Sequence, residues 1–418
     1  MTEHIIFEDE LSANFYPLTY TRPAFELLIG SKTFLEILKN QLRLKNYSLI
    51  VSPHLKDVVR RRHKGMRVNP REAEDDCMFI NGLLRLDKVK VDKLLSKRGF
   101  IARAGEHVAL AKLRRKESNA ILERRDMSFR IHETDLELYS LPDDALIKYP
   151  WQLIEAIPKA LKGQLQAKCF KPFTSRLDNV YIKGKKDWLM IEEGALIEGY
   201  VSFDATQGPI FISSGSEIRS FTRIKGPAYI GKGSVIKSAL IGSGTVIGDE
   251  CRIGGEVEHS VFVGYSNKAH GGFIGHSYVG EWVNIGAGAC NSDLKNTYGT
   301  VKMYIQGKKL DSGQLKLGCF LADHVKLSIG SYIYTGKKVG VASQLHGIVN
   351  EDVPSFVIYT SSLRKPCTEL SLDSAIRTQR RMMERRGLKQ TEADVNLLKA
   401  VFELTKKERK RFIESRSS

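Results

Sequence analysis

No long hydrophobic run occurs in this chain of 418 residues. Nothing approaches the roughly twenty apolar residues that a helix needs to span a bilayer, and the opening MTEHIIFEDE lacks the basic stretch and apolar segment of a secretory leader. A cytoplasmic protein is expected. The six cysteines, Cys77, Cys169, Cys251, Cys290, Cys319 and Cys367, are scattered, with neither a CxxC pair nor a Cys/His cluster at zinc spacing. That excludes a disulfide framework and a zinc finger and leaves packing roles. Also missing are GxSxG, HExxH and any carboxylate pair in a glycosidase-like context. Gly231-Lys232-Gly233-Ser234 lacks the spacing of a Walker loop and reads as a turn. No metal site is expected.

Acidic residues are outnumbered: 65 Lys+Arg against 48 Asp+Glu leave a net charge of +17. This balance suits anionic ligands such as phosphates, nucleotides or nucleic acid. Part of the excess is local. Arg377, Arg380, Arg381, Arg385, Arg386 and Lys389 form one cluster and Lys406, Lys407, Arg409, Lys410 and Arg411 a second. With Leu388, Val395, Leu397, Leu398, Val401, Phe402 and Leu404 between them, the segment reads as amphipathic helices with a solvated charged face, and contact with RNA or a membrane surface is the second reading.

The dominant signal is a repeat. An aliphatic or aromatic residue returns every sixth position at Ile191, Ile197 and Phe203, then from Ile212 through Ile218, Ile224, Ile230 and Ile236, then at Ile241, Ile247 and Ile253. The count resumes at Val279 and Ile285, and later at Leu317, Ile329 and Val341. Neither a helix nor an isolated strand has period six. A short strand and a turn do, and three of them close one turn of a solenoid in about eighteen residues, with the aliphatics stacked inside in columns. The register breaks after Val257, and Asn291 to Lys316 form a polar excursion of the kind on which solenoids carry function.

Upstream, His4-Ile5-Ile6-Phe7 predicts a strand, Ala24 to Leu44 a helix, and Tyr47 to Val51 and Met78 to Asn81 two further strands. Strand–helix–strand order argues a largely parallel α/β layer, so the loops after Phe7 and Asn81 should face one cleft. Tyr149 to Leu161 predicts a closing helix, followed by a basic connector from Lys162 to Arg176.

A strand, then Pro17-Leu18-Thr19 and Thr21-Arg22-Pro23, then a helix and a strand ending in Asn81-Gly82 resembles a sugar-phosphate nucleotidyltransferase domain. Together with the repeats, residues 1 to about 360 resemble proteins related to the bifunctional bacterial enzyme that acetylates glucosamine-1-phosphate and then uridylates it. That resemblance implies a nucleotidyltransferase-like α/β domain (1–175), a left-handed parallel β-helix of acyltransferase type (176–356) and, beyond it, a basic helical extension (357–418). It implies a homotrimer with the acyl-donor site between subunits. In the first domain the family's Gly-rich GGxGTR phosphate loop is replaced by Glu8-Asp9-Glu10-Leu11-Ser12-Ala13-Asn14, its following lysine is absent, and its GD pair, whose Asp holds Mg²⁺, becomes Gly82-Leu83. Arg22, Asn81 and Gly82 remain as substrate-binding candidates.

In the repeat, Ser266-Asn267-Lys268-Ala269-His270 followed by Asn284-Ile285-Gly286-Ala287-Gly288 resembles the acetyltransferase site. The resemblance implies that His270 is the general base, Asn284 a sugar contact and Ala287 the place where coenzyme A lies against the coil. Phe273 stands where the family has a tyrosine and Glu258 where it has a lysine. Lys268, Lys295 and Lys326 are the cations available to replace that charge. His276, His324 and His346 are expected in the core or at the rim. The leading expectation is N-acyl transfer from acetyl-CoA to an amino-sugar phosphate. The alternatives are sugar-1-phosphate nucleotidyl transfer from UTP or dTTP, with Mg²⁺ lacking its usual ligand, and a non-enzymatic sugar-nucleotide-binding scaffold.

Overall fold

The computed structural model describes residues 2–86, 89, 94, 96–124, 136–166 and 178–416. The expected boundary at 175, most of the basic connector and Cys169 lie outside these residues. Two compact units form, one of Met1–Leu27 and Lys32–Gln152, the other of Leu28–Ser31 and Leu153–Ser418.

The first unit is built on a seven-stranded sheet. Its strands are β1 (Thr2–Phe7), β2 (Ser48–Ile50), β3 (Arg67–Val68), β4 (Asp76–Asn81), β5 (Phe100–Ala104), β6 (His107–Leu113) and β7 (Glu137–Ser140), ordered β3-β2-β1-β4-β6-β5-β7. β1 pairs in parallel with both β2 and β4, and β6 is antiparallel to its neighbours β4 and β5. Ile5, Ile6 and Phe7 are all fully buried, which is why β1 reads as an unbroken apolar run rather than an alternation. The chain moves outward from β1 through α1 (Phe34–Gln41), β2 and α2 (Lys56–Arg62) to β3, then returns to β4 on the other side of β1. This reversal opens a crevice at the carboxyl ends of β1, β2 and β4.

The helix expected over Ala24 to Leu44 is shorter than predicted. Ala24–Glu26 form one tight turn, Gly30 takes a positive φ of 74°, and α1 starts only where Thr33 and Glu36 make a reciprocal capping box.

In the second unit the repeat becomes a parallel β-helix of hexapeptide type, in keeping with the left-handed form implied by the resemblance. One wall holds eight parallel strands, and the residues facing inward are paired coil to coil as Ile191, Ile212, Ile230, Ile247, Phe262, Val279, Leu321 and Val339. From Ile212 to Val339 this column is fully buried, each such side chain contributing roughly 1.5–3 kcal/mol. Successive partners explain the lost count. The step from Ile230 to Ile247 is near the ideal eighteen, that from Ile247 to Phe262 is short, and that from Val279 to Leu321 contains the excursion.

On another wall a second column runs from Ile285 through Leu327 and Leu345 after the excursion. Ile329, expected inside, is 77% exposed at the turn that follows. Leu317 and Val341 are buried as expected. The excursion carries a hairpin, Lys302–Ile305 against Lys308–Asp311, and its neck is closed by a bridge between Leu294 and Lys316. Buried serines knit the corners: Ser234 Oγ donates to Gly248 O (2.7 Å) and accepts from Cys251 N (2.9 Å), and Ser266 repeats the pattern with Gly280 O and Val283 N.

Three helices follow within this unit, Leu372–Glu384, Glu392–Leu404 and Lys406–Glu414. Leu397, Leu398 and Val401 are buried as the amphipathic pattern requires. Arg409, expected on the solvated face, is instead fully buried. Its Nε donates to Glu369 Oε2 (2.6 Å), one terminal nitrogen donates to Thr405 Oγ1 (3.0 Å), and its guanidinium lies 4.0 Å from the Phe402 ring centre. Among the described residues no helix is long and apolar enough to cross a membrane.

Candidate functional sites

The first-unit crevice is lined by charge held out of water. Glu8 stands at the end of β1, with one carboxylate oxygen accepting from Ser52 N (2.6 Å) and the other from Ala24 N (3.2 Å). Burial outweighs these bonds and pushes its pKa up to about 6. Asp9 follows. Its Oδ1 accepts from Leu11 N (3.1 Å) and its Oδ2 from Asn81 Nδ2 (3.0 Å), while Gly82 N donates to Phe7 O (2.8 Å). The two loops therefore face one cleft, as the strand order predicts.

Where a nucleotide-cradling loop is expected, Glu10–Phe15 instead wind into a tight helix capped by Asp9. Leu83, at the position of the family's metal-binding Asp, is buried and has no ligand atom, so Mg²⁺ has no conventional seat there.

The three candidates in this unit are each placed differently from a ligand-facing role. Asn81 is fully buried; its amide donates to Asp9 and Val108 O and accepts from Leu83 N, so it orients Asp9. A Cβ on Gly82 would stand 2.8 Å from Phe25 Cβ, so glycine is required there by packing. Arg22 is buried among charges that include Glu26. Burial works against the charge of Glu26, but Arg62 (2.5 Å), His63 (2.9 Å) and Arg22 together hold its carboxyl below the ordinary range.

In the second unit, pairing of Asn267 with Asn284 aligns His270 with Ala287 on the next coil, and Gly330 N donates to Ala287 O (2.9 Å). His270 is exposed at this corner, beside Gly271 and Gly272; Ala287 and Asn284 are exposed too. A Cβ on Gly272 would meet Ala289 O at 2.2 Å, so that the coil backbones run close here.

The cations behave otherwise than expected. Lys268 is 1% exposed and occupies an aliphatic column between Ile253 and the level of Ile285. Its Nζ donates to Gly254 O (2.7 Å) and His270 O (3.2 Å), and burial pushes its pKa down to about 8. It anchors the His270 turn and has no ammonium to spare for phosphate. Lys326 donates to Trp282 O (2.7 Å) and His324 O (2.9 Å), lies under Gln379 and Met382 of the first C-terminal helix, and is pushed down to about 7 by burial. Lys295 donates to Thr300 O (3.2 Å) within the excursion.

Two groupings escaped the sequence. His276 Nδ1 is 2.7 Å from Asp293 Oδ2, its ring stacks on His259 at 4.6 Å, and Lys316 Nζ lies 3.7 Å from Glu258 Oε1. Burial opposes the charge of Asp293, but the bond from His276 wins and holds the carboxyl below its usual range. Asp293 and Lys316 flank the neck of the excursion, so this set pins both of its strands to the preceding coil. The signal was the spacing: His259, His276 and Asp293 are one coil apart. The other grouping, Asp9, Glu10 and His107, brings three potential ligand atoms within 4.8 Å of one another in the crevice. No local spacing joins them.

Residues 4–167 match the sugar nucleotidyl transferase family model. The first unit is thus nucleotidyltransferase-like, and about a third of the chain is similar in sequence to bifunctional proteins of the GlmU type. A bifunctional sugar-1-phosphate nucleotidylyltransferase/acetyltransferase of Sulfurisphaera tokodaii is 38% identical over 152 residues, which is 35% of this chain and 38% of the relative. The bifunctional protein GlmU of Nitratidesulfovibrio vulgaris is 31% identical over 147 residues, 34% of this chain and 29% of that protein. The chain thus spans less than two fifths of the length of these curated relatives. A UDP-N-acetylglucosamine acyltransferase structure from Francisella novicida is 14% identical over 56% of this chain and 77% of that one, with a TM-score of 0.31. So slight a likeness adds nothing to the fold traced above.

Proposed function

We propose that this chain is a sugar-phosphate transferase of nucleotide-sugar metabolism whose β-helix carries out N-acyl transfer from acetyl-CoA to an amino-sugar phosphate. The observation that carries the proposal is the corner at which exposed His270 stacks coil on coil with exposed Ala287, with Asn284 on the strand leading into it. A neutral imidazole there can take the proton as the amine nitrogen attacks the thioester carbon. The C–N bond forms, the C–S bond breaks and the thiolate leaves to take up a proton. Lys268, bonded to the carbonyl of His270, fixes the turn that presents the ring. Phosphate recognition falls to neither Lys268 nor Lys326, whose ammonium groups are bound to backbone carbonyls.

A second reading, sugar-1-phosphate nucleotidyl transfer in the first unit, is favoured by the family match over residues 4–167. The filled phosphate loop and the loss of the metal carboxylate weigh against it. The homotrimer and a cytoplasmic location belong to the same proposal. Product analysis tests it, with acetyl-CoA and with UTP or dTTP, each against a panel of sugar phosphates and amino-sugar phosphates. His270→Ala should lower acyl transfer by about a hundredfold or more. Pyrophosphate release that His270→Ala leaves intact, with no acyl product from the wild type, selects the second reading. No product from any combination selects a binding scaffold.

A further inference from the structure

We propose that Arg386, in the C-terminal helices, is a positioning residue for the acyl-transfer corner, gripping from outside the strand that presents His270. The inference rests on the acyl-transfer reading of that corner. The strand is only Asn267–Lys268, and His270 follows it beside Gly271 and Gly272, the latter at a φ of 125°. Two successive glycines leave the turn pliant, whereas a misplacement of about 1 Å can cost a reaction roughly a hundredfold in rate. The turn needs bracing. From inside the coil it is held by Lys268, through the bonds to Gly254 O and His270 O. From outside, Arg386 Nη2 donates to Asn267 Oδ1 (2.8 Å), and Arg386 Nη1 lies 3.7 Å from Glu250 Oε2. Glu250 pairs in turn with Arg252 (3.2 Å), the register partner of Asn267 on the preceding coil. One guanidinium thus ties two coils to the helices.

Arg386 is itself rigidly presented. The helix Leu372–Glu384 ends in a Schellman motif: Gly387 takes a φ of 67°, Leu388 N donates to Met383 O (2.9 Å) and Gly387 N to Glu384 O (3.0 Å). Gln390 Nε2 then donates to Gln379 Oε1 (2.7 Å) and Ile376 O (3.1 Å), which folds the link to the next helix back on the first. Arg377, Arg380, Arg381, Arg385 and Lys389 are exposed, as a solvated basic face requires, whereas the Arg386 side chain is drawn in to 15% exposure. Burial and the charge of Arg252 hold its pKa below the ordinary arginine range, and Glu250 offsets part of this. Packing alone is served as well by an apolar side chain. The charge is explained by the strand it grips.

The first test is hydrogen–deuterium exchange of the full chain without substrate, read by mass spectrometry. Arg386→Ala should speed exchange in the peptide 264–270, which holds the Asn267 amide bonded to Val283 O (2.8 Å), by about tenfold or more, as the loss of a hydrogen bond to a charged group allows. The hairpin of residues 302–311 should be unchanged. Arg381→Ala, on the exposed face of the same helix, should alter neither. The second test is steady-state acyl transfer. Asn284, the proposed acceptor contact, is the register partner of Asn267, so Arg386→Ala should lower kcat about tenfold and raise the KM for the amino-sugar phosphate severalfold, with the KM for acetyl-CoA unchanged. A mere loss of folded protein would lower kcat alone. Unchanged exchange in 264–270, a rise spread evenly over the coil, or an unchanged acceptor KM in an active protein overturns the proposal. A wild type that transfers no acyl group fails the reading of the corner instead, and the exchange result still decides whether Arg386 holds the turn.

Discussion

At the scale of single residues, the informative ones are cations placed where aliphatic side chains or water would be expected. Lys268 sits in an aliphatic column with its pKa lowered to about 8 from an ordinary value near 10.5. The unfolded chain therefore binds more protons than the native one between those two values, and stability should rise with pH across that window. At pH 7 the buried charge costs its full penalty; above about 10.5 it costs nothing. Lys268→Met keeps the stem and removes the proton equilibrium. The wild type should gain on the variant from pH 8 to 10.5, at up to about 1.4 kcal/mol per pH unit. Urea midpoints at pH 7.5, 9 and 10 measure this, and parallel behaviour of the two proteins would contradict the buried-lysine geometry. The same residue marks a limit of sequence reading. Asn-Lys-Ala-His suggests a phosphate-binding lysine, and only the pairing of Ile253 with Lys268 reveals that its side chain points into the coil.

At the scale of elements, the coil was readable from its period for as long as each turn stayed near eighteen residues. The short step from Ile247 to Phe262 and the excursion before Leu321 shift the count without breaking the pairing, which is why Ile329 was misplaced and Leu327 overlooked. The parallel layer was likewise legible from strand and helix order. The Asp9–Glu10–His107 grouping was not, because an antiparallel reversal brings in His107 from a distant part of the chain. Two substitutions test the stacked columns. Ile230→Asp places a carboxylate without a partner in a fully buried column and should cost several kcal/mol, enough to abolish cooperative unfolding of the coil. Lys407→Glu, on an exposed helix face, should change stability by no more than about half a kcal/mol. Arg409→Ala belongs with the first: it strips the packing over Phe402 and the bond to Thr405 and empties a fully buried volume, for a loss of about 2–5 kcal/mol. Equal melting temperatures for Arg409→Ala and Lys407→Glu would show that the basic tail is a solvated appendage after all.

At the scale of the whole molecule, the walls of the coil are not equivalent. The polar outer column of Asn267, Lys326 and Gln344 lies beneath the C-terminal helices, where Arg386 donates to Asn267 Oδ1 (2.8 Å) and Gln379 Nε2 stands 3.2 Å from His324 Nε2. A different wall, of strands Cys290–Asn291, Tyr332–Ile333 and Ile348–Val349, points Asn291, Ile333 and Val349 inward and turns Tyr332 and Ile348 outward. Ile329 and Tyr334 are exposed nearby, so the last coils present several large apolar side chains to solvent on one side, a pattern that marks interaction surfaces. In the homotrimer that forms part of the proposal, a second and third copy of the chain would cover that wall by closed symmetry. Light scattering at micromolar concentration should then report three times the chain mass of 47.0 kDa. Tyr332→Glu combined with Ile348→Glu should release monomers of unchanged melting temperature, because both side chains project away from the core, and acyl transfer should fall with the loss of assembly. A wild-type monomer that still transfers acyl groups would remove the trimer from the proposal. A wild-type monomer inactive with every acyl donor would instead move the working site to the crevice of the first unit.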